Sequence, residues 1–344
     1  MAHGEPQWWY GAGGSWQAAC LRPIASVYGV VTQWRYERVT PYRAKLPVIC
    51  VGNFTAGGTG KTPMSLLIAD LVVGGGGVPW FLSRGYGGRL DGQERVDPAR
   101  HTAAEVGDEP LLLAARAPTV ISRNRQLGAE FIERQAPANA VIIMDDGLQN
   151  PALAKDLTLA VVDAARGFGN EFVIPAGPLR APLAFQLGLA DVIIINGAHG
   201  DRARQQMAKI AHSKSIAQLS AHPLPQGDTS WLKDAKVIAY AGIANPQRFF
   251  GLLEKLGSTV VERVAFGDHQ TMSNDDAEML MALADQHGAQ LITTEKDLVR
   301  LTGLDRARIE LKKKSKTLPI MLEMPDKDRD VLTAKVAGLK IRTT

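Results

Sequence analysis

Directly after an apolar run at residues 48–51, the chain reads Gly52-Asn53-Phe54-Thr55-Ala56-Gly57-Gly58-Thr59-Gly60-Lys61-Thr62-Pro63-Met64. A glycine-rich turn between a strand and a helix points successive backbone N–H groups at one spot, and the helix N-terminus adds to the attraction for an anion. On this reading Thr55, Ala56, Gly57, Gly58, Thr59, Gly60, Lys61 and Thr62 wrap the phosphates of a nucleotide. Lys61 supplies a point charge to the β- and γ-phosphates, and Thr62 a hydroxyl for Mg²⁺. Two features depart from the general pattern G-x-x-x-x-G-K-[ST]. Thr55 stands where the first glycine belongs, and Pro63 follows Thr62. The proline is harmless in a first helical turn, where its missing N–H has no partner to lose.

A magnesium-assisted site needs a second partner at the end of a neighbouring strand. Val141-Ile142-Ile143-Met144-Asp145-Asp146-Gly147 offers one: four apolar residues, then two carboxylates of the hard oxygen type that Mg²⁺ prefers. Two further stretches carry acid–base groups. Asp108 and Glu109 precede an apolar helical segment, and His269 sits in a turn after a strand-like run. Spacing does not bring Asp108 and His269 together. Three glycine- or proline-flanked arginine loops hold Arg84 with Tyr86, Arg125, and Arg180. Guanidinium forks of this kind suit a phosphorylated ligand. Small-molecule kinases, nucleotide-driven switches and chaperone ATPases share the phosphate-binding half, and an acceptor site is what separates them.

Apolar runs at 48–51, 80–82, 119–121, 141–144, 157–162, 192–195, 237–241, 260–264, 291–293 and 320–322 alternate with helical segments. Alternation of this kind predicts parallel α/β units, and the unbroken apolarity of the runs predicts strands covered on both faces. At 344 residues the chain exceeds one ordinary core, so two domains are expected. A polar, proline-bearing break near 197–235 divides them. The expected layout is a phosphate-loop domain over 39–190, completed by a C-terminal segment 323–344, and a smaller α/β domain over 191–322. The lysine run at 312–316 reads as a solvated loop.

Apolar content of 45% and 22% charged residues are ordinary for a globular chain, and a formal charge of +4 does not call for nucleic acid. Cys20 and Cys50 are too few for a disulfide framework and read as buried thiols. No run approaches a membrane span. Within 1–38, however, Ile24, Val27, Tyr28, Val31 and Trp34 recur at helical spacing, with Pro23 at the expected helix start. Tryptophans precede this stripe and arginines flank it, a composition suited to a helix lying in a membrane interface. Packing against the protein's own core is the competing reading.

Taken together, the motifs resemble one family, the tetraacyldisaccharide 4′-kinases of lipid A biosynthesis. The resemblance rests on seven ordered pieces: the loop 52–63, Ser83-Arg84-Gly85-Tyr86-Gly87, Gly107-Asp108-Glu109-Pro110, Asp145-Asp146-Gly147-Leu148-Gln149, Pro175-Ala176-Gly177-Pro178-Leu179-Arg180, Phe266-Gly267-Asp268-His269, and Thr293-Thr294-Glu295-Lys296-Asp297. It implies a phosphate-loop kinase fold with a second α/β/α domain joined by a short two-stranded hinge. It implies transfer of the ATP γ-phosphoryl to the 4′-hydroxyl of a tetraacyldisaccharide 1-phosphate, giving lipid IV-A, with Mg²⁺. The resemblance also places the protein at the cytoplasmic face of the bacterial inner membrane, peripherally bound, with a lipid rather than an obligate protein as partner. By the same likeness Asp108 accepts the sugar proton with His269 beside it. Thr62, Asp145, Asp146 and Glu109 serve the metal, and Arg84, Tyr86, Arg125 and Arg180 line the lipid headgroup. Ala181, Leu148 and Asn150 depart from the family's usual residues. A protein-directed switch or chaperone ATPase is the alternative.

Overall fold

The computed structural model describes residues 5–11, 14–197, 201–210, 216–268, 270–301 and 305–339. Its first eight strands are β1 (Val48–Gly52), β2 (Val78–Ser83), β3 (Glu94–Arg95), β4 (Thr119–Ile121), β5 (Ala140–Asp145), β6 (Leu157–Asp163), β7 (Val192–Asn196) and β8 (Ala217–Pro225). Four more, β9 (Lys236–Ala241), β10 (Thr259–Ala265), β11 (Gln290–Thr293) and β12 (Ser315–Thr317), form a separate parallel sheet in the order β10-β9-β11-β12. A last strand, β13 (Ile320–Glu323), returns to the first sheet, whose order is β13-β8-β7-β6-β1-β5-β2-β4-β3. Its inner strands are parallel, so their C-terminal ends share one edge.

The helices are α1 (Trp16–Glu37), α2 (Lys61–Gly74), α3 (Ala103–Val106), α4 (Asp108–Ala114), α5 (Arg125–Glu133), α6 (Leu183–Leu187) and α7 (Arg202–Ile210). They continue with α8 (Pro246–Lys255), α9 (Asn274–His287), α10 (Glu295–Arg300), α11 (Arg306–Lys314) and α12 (Asp326–Ala337). Strands β1, β6 and β7 are buried along their whole length because both faces are covered. Ile49 and Val51 pack under Met64 and Ile68 of α2 and Leu332 and Val336 of α12. Val48 and Cys50, pointing the other way, pack under Ala129 and Ile132 of α5. The C-terminal helix is thus part of the larger sheet's cover.

All ten apolar runs become strands, and four expectations change. The sheets divide between β8 and β9. Strands β7 and β8, which the composition break assigns to the smaller unit, extend the larger sheet, and so does β13. β8 can carry Pro223 and Pro225 because its pairing with β7 ends at Ala221, so the prolines pair on one side only, with β13, and their other side is an edge where a missing N–H is tolerated. The lysine run closes α11 and enters β12 instead of forming a loop. The third change concerns α1. It begins at Trp16, where the Ser15 side chain accepts from the N–H of Ala18, and so Pro23 is interior. Of the two thiols, Cys50 is buried, its pKa pushed up to about 11 chiefly by burial, whereas Cys20 is exposed.

α1 presents an inverted pattern. Its small residues Ala18, Ala25 and Gly29 face the body, and a side chain at Gly29 would press on Pro182 at 3.2 Å. Trp16 (74% exposed), Ile24, Val27, Val30 (67%), Val31 and Trp34 face outward. No described helix is long and apolar enough to cross a membrane.

Candidate active site

The turn joining β1 to α2 lies at the shared C-terminal edge, the usual ligand side of such sheets. Its last residue, Gly60, caps α2 at φ 95, a left-handed conformation that suits glycine; a Cβ there would also collide with the Asn196 amide. Asn196, at the end of β7, donates Nδ2–H to the Thr59 carbonyl at 2.8 Å. On the entering side, the N–H of Ala56 donates to Pro178 O at 2.7 Å, and the N–H of Arg180 to Phe54 O at 2.9 Å. The proline segment 175–180 therefore splints the turn. Buried Thr59 Oγ1 has no hydrogen-bond partner. An orphaned buried hydroxyl in a concave run of N–H groups fits a ligand rich in acceptors, as a phosphate chain is.

β5 lies beside β1 with Asp145 level with Val51, so the carboxylate pair emerges next to the turn. Asp145 is buried and accepts from Ser65 Oγ on α2 at 3.0 Å. Burial, then the carboxylates of Glu109 and Asp146, push its pKa up to about 7. Burial also opposes the charge of Asp146, but Lys61 at 3.8 Å and Arg180 at 2.7 Å outweigh it and hold that group below the usual carboxylate range. Among the described residues no three acidic, histidine or cysteine side chains form a closed cation cage. Mg²⁺ does not need one, because it keeps several waters and takes one or two carboxylates plus phosphate oxygens. Two adjacent carboxylates, one of them held at a proton affinity near neutrality by burial and then by its like-charged neighbours, fit a cation of this type.

Asp108 and Glu109 open α4, which packs against α10 of the smaller unit and brings Glu109 close enough to Asp145 to raise its pKa. Gly107 precedes them at φ 90, and a Cβ there would meet the Tyr86 carbonyl at 2.5 Å. The loop after β2 and the turn before α4 thus touch backbone to backbone, which fixes where Asp108 starts. Glu109 pairs with Lys296 of α10 at 3.1 Å. Burial disfavours the Lys296 charge, yet Glu109, Asp108 and Asp268 together raise its pKa. Asp108 meets Arg300 at the end of the same helix at 2.5 Å, with both side chains about 5% exposed or less.

The structure gathers Lys61, Thr62, Asp145, Asp146, Glu109 and Asp108 along one edge and separates the arginines. Arg180 stands at the turn itself, bonded to Asp146 and, through Nε, to Thr55 O at 3.1 Å. Arg125 is buried beneath the strand ends, donating to Ser122 O at 2.6 Å and approaching Asp145 O at 3.4 Å; burial pulls its pKa to about 10. Arg84 and Tyr86 are exposed on the loop after β2. His269 lies outside the described residues. Several residues at the site carry no signal of their own in the sequence: Ser65, Asn196, Arg300 and Glu5. The Glu5 carboxylate lies against Gly57, where a Cβ would strike Oε1, while Oε2 pairs with Arg166 at 2.7 Å. Lys155 is another, donating to the carbonyls of Leu148 and Asn150 and to Tyr36 of α1, which ties the loop after Asp146 to that helix.

With this geometry in place, relatives can be compared. The sequence matches the LpxK family, described as tetraacyldisaccharide-1-P 4′-kinase, over residues 17–337. The chain belongs to this family. A tetraacyldisaccharide 4′-kinase of Methylorubrum extorquens is 48% identical over 299 residues, covering 85% of this chain and 88% of the relative. One of Parvibaculum lavamentivorans is 43% identical over 325 residues, covering 92% of each. The crystal structure of LpxK from Aquifex aeolicus, described as in complex with ATP, has the same fold, with a TM-score of 0.73 and 24% identity over 95% of this chain and 99% of that one. The α/β fold with a parallel phosphate-loop sheet expected from the motifs is therefore the fold this family adopts.

Proposed function

We propose that this protein is an ATP-dependent tetraacyldisaccharide 4′-kinase, transferring the γ-phosphoryl group to the sugar hydroxyl of an acylated glucosamine disaccharide 1-phosphate. One observation carries the reading beyond family membership. The phosphate turn, the Asp145–Asp146 pair and Asp108 occupy a single edge of the larger sheet, so a phosphate donor and a proton acceptor can face one acceptor hydroxyl. Residues 55–62 bind the phosphates through their N–H groups. Lys61, whose ammonium is near Asp146, turns to the β- and γ-oxygens. A Mg²⁺ held here would supply positive charge against the phosphates during transfer. Thr62, Asp145 and Asp146 are the residues to hold it, with Glu109 in support. Asp108 accepts the proton of the attacking hydroxyl, with His269 as its proposed partner. Phosphoryl transfer asks mainly for alignment and charge stabilisation, which suits a site built from fixed strand ends.

Arg84 and Tyr86 remain our candidates to meet the headgroup and its 1-phosphate, a reading supported by their exposure on the neighbouring loop. Arg180 stays with the turn and orders Asp146, and Arg125 supports Asp145 from below. The outward apolar face of α1 fits a lipid interface, since tryptophan and branched aliphatic side chains gain by entering the acyl boundary while the flanking arginines meet anionic headgroups. That fit supports our reading of a protein bound peripherally at the cytoplasmic surface of the inner membrane, where ATP is found. The two sheets act as two domains. β8 and β13, the antiparallel pair through which the chain leaves and re-enters the larger sheet, serve as their hinge.

The test is ATP turnover by the purified chain in detergent micelles. Turnover should depend on the acylated disaccharide 1-phosphate and yield a lipid with one more phosphate. Turnover indifferent to the lipid and stimulated by a protein partner contradicts the proposal and favours a switch ATPase.

A further inference from the structure

The stretch Thr293-Thr294-Glu295-Lys296-Asp297 has no assigned chemistry among the motifs, yet it leads into α10, and α10 ends at Arg300. Thr294 caps this helix, accepting from the N–H of Asp297 at 3.1 Å and donating its own hydroxyl to Asp297 Oδ2 at 2.6 Å. One turn later Arg300 comes back beside Asp297. Its Nη1 lies 2.8 Å from Asp297 Oδ1 and 2.6 Å from the Gly242 carbonyl. The N–H of Gly242 donates to the same Asp297 oxygen at 3.0 Å. The guanidinium is therefore fixed from behind by its own helix and by the turn after β9.

Its other two nitrogens reach the opposite sheet. Nε at 2.6 Å and Nη2 at 2.5 Å both approach Oδ2 of Asp108. The second oxygen, Oδ1, accepts from the N–H of Glu109 at 2.8 Å. Neither carboxylate oxygen can turn without breaking one of these bonds. Arg300, Asp108 and Asp297 are all buried, so water offers little competition. A buried charged network of this type is costly to half-dismantle and selects one arrangement. As mere adhesive between the sheets, an apolar contact would serve without desolvating two charges.

We propose that Arg300 is a positioning residue for phosphoryl transfer. It aims the Asp108 carboxylate from the opposite sheet, so that the acceptor half of the site exists only when the two sheets are docked. This rests on Asp108 being the proton acceptor, as proposed above. Arg300 acts through Asp108 and is needed for the rate of transfer, not for holding the nucleotide, since its contacts among the described residues run to Asp108, Asp297 and Gly242 and not to the β1–α2 turn.

The experiment uses the full chain, γ-labelled ATP and the acylated disaccharide 1-phosphate in micelles, with wild type, Arg300→Ala and Arg300→Lys compared. Misplacing a reacting group by about an ångström costs on the order of 10²-fold, so kcat of Arg300→Ala should fall by about that factor while its calorimetric Kd for ATP stays within about twofold of wild type. Millimolar guanidinium should restore about tenfold of the loss, because it refills the gap with the missing fork; a purely structural lesion does not respond in this way. Arg300→Lys keeps the charge and loses the fork, so it should fall between the two. If Arg300→Ala does not fold, Arg300→Lys decides alone: a kcat within about twofold of wild type overturns the proposal. So does a loss confined to ATP affinity, or one that guanidinium leaves untouched. An inactive wild type overturns the kinase reading and this inference together, whereas an active wild type matched by Arg300→Ala overturns this inference alone.

Discussion

The two halves of the candidate site are built in different ways. The phosphate half is a contiguous stretch, residues 52–64, whose geometry follows from glycine placement, a strand before and a helix after. The acceptor half is assembled from afar: Asp108 is held by Arg300, 192 residues on and attached to another sheet. A local turn survives small shifts elsewhere in the molecule. A carboxylate held by a side chain from a second sheet is only as well placed as the contact between the sheets.

Substitutions can break that comparison or sharpen it. The largest effect belongs to the phosphate half: Lys61→Ala should lower kcat/KM by on the order of 10³-fold, as loss of a charge aimed at the transferring group does. A loss under about tenfold would remove the distinction between the halves.

Asp145→Asn should cut transfer by about 10²-fold and yet stabilise the nucleotide-free protein. The folded pKa of about 7 exceeds the ordinary carboxylate value, so the folded state binds this proton more tightly than the unfolded chain. Ionised Asp145 therefore costs stability increasingly as pH rises from about 4 towards 7, and fully above that. Thermal unfolding should show the variant above wild type at pH 8, by a few degrees for each ~1 kcal/mol recovered, and level with it at pH 4. A variant less stable than wild type at pH 8 contradicts the electrostatic account of that pocket.

Replacing Val27 and Val31 by aspartate should weaken vesicle association by about tenfold while leaving turnover of micellar substrate intact, since these side chains face away from the site. Equal sedimentation of both proteins with anionic liposomes counts against α1 as the docking face. The smallest effect is expected at Lys296→Ala. Its pair with Glu109 is partly exposed, so about 1 kcal/mol, or fivefold in kcat/KM, is the scale. If the acceptor half depends on sheet-to-sheet pairing, this loss should fall on transfer and leave ATP affinity unchanged.

Legibility in the sequence followed the same division. The turn at 52–64, the strand-end pair Asp145–Asp146 and all ten apolar strands could be read directly, because each depends on neighbours in the chain. β8 was hidden because prolines and a histidine break its apolarity, and only pairing with β7 and β13 makes it a strand. The start of α1 was set by Ser15, which the prominence of Pro23 obscured. Arg300 gave no signal, and Lys296 stood only as a member of the motif 293–297 with no role, since an arginine or lysine on a short polar helix is ordinary until the fold brings it to a carboxylate. Arg125 was legible as an arginine in a loop, but its burial under Asp145 depends on α5 packing across β2 and β4.

The most direct measurement is transfer of the labelled γ-phosphate from ATP to the acylated disaccharide 1-phosphate, with phosphorus NMR locating the new ester on the product. Wild type should form a single product, with the new phosphate ester at the 4′-hydroxyl, and Lys61→Ala should form almost none. Label appearing only as free phosphate, or equal product from both proteins, contradicts the account.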